Sequence, residues 1–203
     1  MIDLQKTAVI LVGYQNDYFS ESGLLHEFVG ESIRVNNTLG NTVKLIQGLP
    51  ESVPIIATPI HFTENYSELV DEPVGILKIV KDVGAFQVNA PGSEMIEDLK
   101  VFGDRIEIVE GKRGFNAFAK TDLDEVLQMN DIEHVVIAGA VTSVCIDSTG
   151  RYAQELGYQV SILSDCTAAK SVFEQSFYCE SIFPVYANVI TSEELIAADL
   201  VAA

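Results

Sequence analysis

Short apolar runs that alternate with helix-like segments are the feature that most constrains how this chain can fold. The first run, TAVILV, is rich in β-branched residues and ends before Gly13, as expected of a strand buried on both faces of a parallel sheet. Similar runs recur along the chain, so six strands are predicted. These runs cover residues 7–12, 53–60, 105–109, 134–140, 158–164 and 185–190.

The segments between the runs carry helical patterns. Apolar residues recur near the helical period in ESIRVNNTLGNTVKLIQGL, and TDLDEVLQMN opens with Thr121 as a candidate N-cap. Thr191 and Glu194 form a Thr-x-x-Glu pattern, which predicts a capping box at the start of the last helix. Because strands that alternate with helices form right-handed crossovers, we expect an α/β fold, a Rossmann-like three-layer α/β/α sandwich around a six-stranded, mainly parallel sheet.

The chain of 203 residues is long enough for one domain with a substantial core and too short to require two. It contains no linker, internal repeat or low-complexity segment, so residues 1–203 are interpreted as a single domain. The least regular region is 61–95, and a long irregular stretch is typical of the wall or lid of a binding site. We expect this region to contribute to substrate specificity.

The charge and the hydropathy of the chain exclude several classes of partner. The 30 acidic and 12 basic residues give a formal net charge of −18, so we expect no nucleic acid partner. No apolar run reaches the roughly 18 residues that span a bilayer, and the N-terminal segment lacks a basic leader with a small-residue cleavage site. These features predict a cytoplasmic protein that does not associate with membranes.

The three cysteines are odd in number and lack C-x-x-C spacing, which predicts neither a disulfide framework nor a zinc site in a reducing compartment. Ligands of parallel α/β sheets bind at the carboxyl ends of the strands. The segments that follow three of the predicted strands therefore carry most of the functional information. These segments are 13–17, 111–116 and 141–145.

Cys145 follows the run 134–140 at the predicted start of a helix. Unpaired backbone N–H groups and the positive end of the helix dipole stabilise a thiolate there, and the same groups can hold a developing oxyanion. Free cysteine is also typical of a small residue buried in a core, so position alone leaves both interpretations open. Cys166 and Cys179 have no comparable context and are interpreted as packing residues.

Lys112, in GKRGFNAFAKTDLDEVL, follows the predicted strand 105–109. A lysine at this position could lie beside Cys145, favour the thiolate by its charge, and bind an acyl oxygen or a leaving group. Taken alone, however, a loop lysine is more often a solvated surface residue.

Three segments together resemble a known family. They are AVILVGYQNDYF, GKRGFNAFAKTDLDEVL and VVIAGAVTSVCIDSTGRYAQELGYQVSILSDCTA. In this order and spacing they are similar to the signature regions of the isochorismatase-like cysteine hydrolases, which include nicotinamidases, N-carbamoylsarcosine amidases and isochorismatases. The resemblance covers most of the chain and is most specific around Cys145.

The resemblance implies an Asp, Lys and Cys triad on a six-stranded parallel sheet with helices on both sides. Cys145 matches the nucleophile and Lys112 matches the lysine. The peptide between Ala140 and Val141 matches the family's non-proline cis bond, which would turn the Val141 N–H toward an oxyanion, alongside the N–H of Cys145. A small-molecule substrate and a homo-oligomer, either a dimer or a tetramer, are also implied.

Gly13 is where the chain departs from the family pattern. Relatives usually read D-x-Q-x-D-F at the end of the first strand, whereas this chain reads GYQNDY over residues 13–18. Glycine therefore stands at the position of the catalytic aspartate. In the family's amidase mechanism that carboxylate takes the thiol proton and later delivers it to the departing amine.

Three explanations for Gly13 stay open at this point. Another acid could substitute, and Asp17 and Glu110 are the nearest in sequence. Alternatively, the helix start and Lys112 could generate the thiolate by themselves, with the substrate or water handling the protons. Finally, hydrolysis could be lost or very slow, since losing a general base costs on the order of 10² to 10⁴ in rate.

Nicotinamidases of the family carry an Asp/His/His metal site after the second strand, but the corresponding segment ATPIHFTENYSEL contains one histidine, His61. We expect no metal and no cofactor. His61, Gln15, Phe62 and Phe115 are instead candidate pocket residues. The sequence thus predicts a hydrolase that cleaves an amide or other C–N bond of a small molecule through a Cys145 thioacyl intermediate. Isochorismate-type vinyl ether hydrolysis and a ligand-binding or regulatory protein are the alternatives.

Overall fold

Six parallel strands form one sheet at the centre of the protein. The computed structural model describes residues 2–202. Its strands are β1 (Thr7–Val12), β2 (Ile55–Thr58), β3 (Glu107–Ile108), β4 (His134–Ala140), β5 (Gln159–Ala168) and β6 (Asn188–Ile190). They lie in the order β3-β2-β1-β4-β5-β6, and every neighbouring pair is parallel. The predicted α/β fold with six strands is confirmed.

Helices pack on both faces of this sheet. Within residues 2–202 they are α1 (Asn16–Phe19), α2 (His26–Asn36), α3 (Thr38–Gly48), α4 (Gly75–Val83), α5 (Glu97–Lys100), α6 (Leu123–Met129), α7 (Asp147–Glu155), α8 (Val172–Phe177) and α9 (Ser192–Ala202). Val9 and Leu11 of β1 belong to one apolar cluster, with residues of α1 to α5 and α9. Ala8 and Ile10 of β1 belong to a second cluster, with residues of α6 and α7. Because β1 is buried on both faces, its sequence is a continuous apolar run.

Three strands are shorter than their apolar runs, and one is longer. Pro54 and Pro59 flank β2, and a proline cannot donate a hydrogen bond to a strand ladder. The strands β3 and β6 lie at the sheet edges, where each has a neighbour on one side only. The run 158–164 extends to Ala168 as β5, with a register shift against β4 between Ile137 and Gly139.

The helix ends follow local capping chemistry. The predicted capping box is confirmed, because Thr191 N–H donates to Glu194 Oε2 at 2.7 Å and Glu194 N–H donates to Thr191 Oγ1 at 3.2 Å. The predicted N-cap Thr121 is wrong by one residue: Asp122 occupies that position, while the Thr121 hydroxyl donates to Ala117 O at 2.6 Å. Asn37, at a φ of 51°, separates α2 from α3 in a stretch that the sequence presents as one helical pattern.

The region 61–95 is more regular than its sequence indicates, because it contains α4. Ile76, Leu77 and Val80 lie on one side of this helix and pack with the first apolar cluster. Gly75 and Gly84 bound α4 at φ values of 60° and 76°, in the left-handed region that glycine adopts without strain. No helix among residues 2–202 combines the length and the apolar character that crossing a bilayer requires.

Candidate active site

The carboxyl ends of β1 to β4 bring the predicted functional segments together at one edge of the sheet. Gly13 follows β1, Ile60 follows β2, Lys112 follows β3 and Cys145 follows β4. A parallel bridge between Ile60 and Lys112 continues the pairing of β2 with β3 beyond the strand ends. This continued pairing carries Lys112 to the same edge as Cys145.

Cys145 lies in the turn that leads from β4 into α7. A π-helical turn, Thr142–Ile146, precedes the first residue of α7 directly, and it buries Cys145 to 3% exposure. The N–H groups of Val144 and Ile146 both donate to Val141 O, at 3.0 and 3.2 Å. The peptide bond between Ala140 and Val141 is cis. Cys145 therefore lies in the first turn of the helical segment that continues into α7.

Lys112 is fully buried, which is uncommon for a lysine. Its Nζ donates to Cys145 Sγ at 3.5 Å and to the carbonyl oxygen of Gly114. Burial lowers the pKa of Lys112, while attraction to the Cys145 sulfur and the hydrogen bond to it act in the opposite direction. Burial therefore favours the neutral amine of Lys112, and the neighbouring sulfur favours its ammonium.

A small apolar pocket covers this pair. It leaves about 10 Å³ of free space, close to that of a single water molecule. Five of its wall residues come from the region 61–95, as expected for a segment that shapes a binding site. The pocket is lined by Tyr18, Ile60, Phe62, Ile76, Leu77, Val80, Phe86, Gly114, Phe115, Val144 and Cys145.

Gly13 lies beside this pocket in a left-handed conformation, with a φ of 71°. A Cβ atom on this residue would lie 3.0 Å from Ala140 O, and 3.6 and 3.7 Å from two ring carbons of Tyr18. No aspartate or glutamate is among the described residues that line the pocket. Both the backbone conformation and the surrounding space at position 13 therefore favour glycine. The carboxylate expected beside Cys145 has no counterpart in the described pocket lining.

Neither of the two nearest acids lies in the pocket lining. Asp17 is buried, and its carboxylate accepts hydrogen bonds from Phe86 N–H at 2.7 Å and from Leu24 N–H at 3.3 Å. Glu110 is exposed and pairs with His61 Nδ1 at 2.8 Å, in an open cleft next to the pocket. Asp17 thus holds the backbone around the pocket together, and Glu110 lies outside it.

Three of the four predicted pocket residues line either the pocket or the open cleft. Phe62 and Phe115 line the pocket, and His61 lines the open cleft. Gln15 lies in neither lining; its side chain bonds Ile60 N–H and the carbonyl oxygens of Ile60 and Ser93, at 2.7 to 2.8 Å. It joins the segments that follow β1 and β2. Across residues 2–202, no group of three or more His, Cys, Asp or Glu side chains is arranged to hold a metal ion.

Sequence reasoning missed the apolar wall that α4 contributes and the ring of Tyr18. The wall could have been found from the spacing of Ile76, Leu77 and Val80 between two glycines, which is a helical pattern. Tyr18 belongs to the same segment as Gly13.

Comparisons with known proteins show which proteins this chain is similar to. The family model described as Isochorismatase domain matches residues 7–194. The chain is 33% identical over 201 residues to the uncharacterised isochorismatase family protein YwoC of Bacillus subtilis, and the match covers 96% of this chain and 95% of that protein. It is 28% identical over 181 residues to the ureidoacrylate amidohydrolase RutB of Caulobacter vibrioides, covering 82% of this chain and 78% of RutB.

A solved structure is similar over the whole chain. The cysteine hydrolase from Pseudomonas syringae matches with a TM-score of 0.83 at 26% sequence identity, covering 100% of this chain and 96% of that one. The similarity therefore covers the whole fold.

Proposed function

The chain belongs to the isochorismatase family of hydrolases, and from this premise we propose that it hydrolyses an amide or other C–N bond of a small molecule through a thioester on Cys145. The observation that carries this proposal is the buried pair of Lys112 and Cys145, with Nζ 3.5 Å from Sγ beneath an apolar pocket. A buried lysine is costly unless it has a partner, and the thiolate is a partner of opposite charge.

The reaction begins with attack of the Cys145 thiolate on the substrate carbonyl, with Lys112 as its counter-ion. The N–H groups of Val141 and Cys145 hold the oxyanion that forms. A donor of this kind typically contributes about 3 to 4 kcal/mol to transition-state stabilisation in a site that excludes water. The C–N bond then breaks, and water hydrolyses the thioester.

The lining of the pocket favours an apolar and compact acyl group. Apart from Gly114 and the polar atoms of Tyr18 and Cys145, the wall consists of aliphatic and aromatic side chains. Burial of apolar area there contributes roughly 25 cal/mol per Å² to binding. An amide substrate is further supported by the similarity to the ureidoacrylate amidohydrolase. Vinyl ether hydrolysis has less support, since it begins with protonation of a carbon rather than with attack by a thiolate, and among residues 2–202 no carboxylate lines the pocket.

The test combines labelling, turnover and intact-protein mass. At pH 6, iodoacetamide should alkylate Cys145 faster than Cys166 or Cys179, because burial raises the pKa of those thiols to about 12 and about 11. An activated ester should leave one acyl group on Cys145. Cys145→Ala should abolish acylation and turnover, while the matched variant Cys179→Ala should retain both.

Two outcomes would contradict the proposal. The first is turnover that survives in Cys145→Ala. The second is a purified protein that binds small amides but acylates neither with them nor with an activated ester, which would favour a ligand-binding or regulatory protein.

A further inference from the structure

Tyr18 brings a phenol group to a site that lacks the family's carboxylate. It is only 2% exposed, and it lines the same pocket as Cys145. The chain reads GYQNDY where the pattern is D-x-Q-x-D-F or similar, so the acid of position 13 is missing and position 18 carries a hydroxyl. The two positions lie five residues apart in sequence and face each other in space.

The ring of Tyr18 occupies the space that a side chain at position 13 would face. Its Cδ2 and Cε2 atoms lie 3.6 and 3.7 Å from the position of a Cβ on Gly13. The backbone N–H of Tyr18 donates to Gln15 O at 3.0 Å, and the Tyr18 ring packs against the ring of Phe86 with centroids 5.0 Å apart. The hydroxyl therefore has a fixed place at the end of a packed ring.

The Tyr18 hydroxyl is unpaired in the described part of the chain. It has no hydrogen-bond partner within residues 2–202, whereas the neighbouring hydroxyls of Tyr14 and Tyr66 donate to backbone carbonyls at 2.8 and 2.7 Å. Within residues 2–202, Thr58 Oγ1 is the one fully buried side-chain oxygen or nitrogen without a partner, so the Tyr18 oxygen is not sealed off from the pocket that its side chain lines. Burial, together with the negative charges of Cys145 and Asp17, raises the pKa of Tyr18 well above its ordinary value, so the hydroxyl keeps its proton at neutral pH.

We propose that Tyr18 is the proton donor of this active site and takes the place of the carboxylate that Gly13 removes. This inference rests on the proposed thioester mechanism at Cys145. As the C–N bond breaks, the Tyr18 hydroxyl gives its proton to the departing nitrogen, which leaves as a neutral amine, and Tyr18 becomes a phenolate in the pocket.

The second half of the reaction restores every group. Water attacks the thioester and gives one proton to the Tyr18 phenolate, while the C–S bond breaks and the electron pair returns to the Cys145 thiolate. The net reaction is one amide and one water to one carboxylic acid and one amine. Lys112 stays an ammonium throughout. The negative charge of the site lies on the Cys145 sulfur in the free protein and on the Tyr18 oxygen in the thioester intermediate.

Two substrates of nearly the same shape separate proton donation from attack. p-Nitrophenyl acetate and p-nitroacetanilide carry the same acyl group, but p-nitrophenolate leaves without a proton and the anilide nitrogen requires one. Tyr18→Phe should lower kcat/KM for the anilide by on the order of 10² to 10⁴. The rate of the acylation burst with the ester should stay within about threefold, because that step needs no proton donor.

Tyr66→Phe is the matched control, since it also removes one hydroxyl from a buried tyrosine. The Tyr66 hydroxyl donates to Ala85 O, so its loss should lower the melting temperature and affect both substrates equally. Tyr18→Phe should leave the melting temperature almost unchanged, because no protein hydrogen bond within residues 2–202 is lost.

The outcomes divide cleanly. Equal effects of Tyr18→Phe on ester and anilide, or no effect on the anilide, would overturn the role of Tyr18 and leave the Cys145 mechanism intact. Acylation of wild-type Cys145 by the ester without any cleavage of the anilide would do the same. No acylation of Cys145 by the ester would overturn the thioester mechanism, and the role of Tyr18 with it.

Discussion

Restoring the family's acid by Gly13→Asp should destabilise this protein and should not activate it. The reason lies in the backbone, because Gly13 has a φ of 71°, where a residue with a Cβ is strained. The new Cβ would lie 3.0 Å from Ala140 O, a contact closer than ordinary van der Waals packing. The carboxylate would then extend between that carbonyl oxygen, which repels it, and the ring of Tyr18.

The size of the expected loss of stability follows from the backbone strain at position 13. The left-handed backbone costs an L-residue about 1 to 2 kcal/mol, with aspartate among the better tolerated types. For a chain of about this length, 1 kcal/mol shifts the melting temperature by roughly 2 to 4 °C. Gly13→Ala carries the strain alone and should melt roughly 2 to 8 °C below the wild type, and Gly13→Asp should melt at or below Gly13→Ala.

The assay measures thermal unfolding and hydrolysis of p-nitroacetanilide for the wild type, Gly13→Ala and Gly13→Asp. A carboxylate accommodated in a productive position would raise amide turnover by on the order of 10² to 10⁴. We expect a gain of less than about tenfold, because the strained loop holds the carboxylate against Ala140 O. A Gly13→Asp variant that melts with the wild type and gains 100-fold or more in turnover would refute this reasoning.

Four further perturbations test other parts of the structure. Lys112→Met should leave the free energy of unfolding unchanged or raise it, because burial already opposes the ammonium. The same variant should lower turnover by on the order of 10², and a stable, fully active variant would contradict the role of the buried pair. Thr58→Val should raise the melting temperature by roughly 2 to 4 °C, because the buried Thr58 hydroxyl has no hydrogen-bond partner within residues 2–202; a lower value would indicate an unseen partner. Burial lowers the pKa of His134 from 6.5 to about 4, so the unfolded state binds more protons and about 3 kcal/mol of stability should be lost as the pH falls from 6.5 toward 4. Urea unfolding at several pH values measures this loss, and His134→Gln should flatten the profile. Glu110→Gln should keep anilide turnover within about threefold, and a loss of 100-fold would identify Glu110 as the substitute acid.

The sheet could be predicted from the sequence because its central strands are buried on both faces. A run such as residues 7–12 has no polar alternation, and few structures other than a parallel sheet bury it completely. The edges were harder, since β3 has two exposed residues and makes pairs on one side only. Apolar content alone does not show where an edge ladder stops.

The position of Cys145 could also be predicted from the sequence. A strand that leads directly into a helix places the residues between the strand and the helix at the carboxyl end of the strand. The spacing of Ile76, Leu77 and Val80 predicts the helix α4, but it does not predict that this helix lines the same pocket as Phe115 and Cys145, which come later in the chain. The left-handed backbone at Gly13 is also invisible in the sequence, although it decides whether an aspartate fits there.

The tightness of the pocket has a thermodynamic consequence for any substrate. About 10 Å³ of free space admits little more than one water molecule, so a substrate reaches Cys145 only after part of the wall has moved. The free energy of that opening is subtracted from the binding free energy, and the apparent dissociation constant rises in inverse proportion to the open fraction. If one molecule in a hundred is open, a ligand of intrinsically micromolar affinity binds with an apparent constant of about 0.1 mM. For the proposed hydrolase, selectivity would then depend on both the substrate and the opening equilibrium of this pocket.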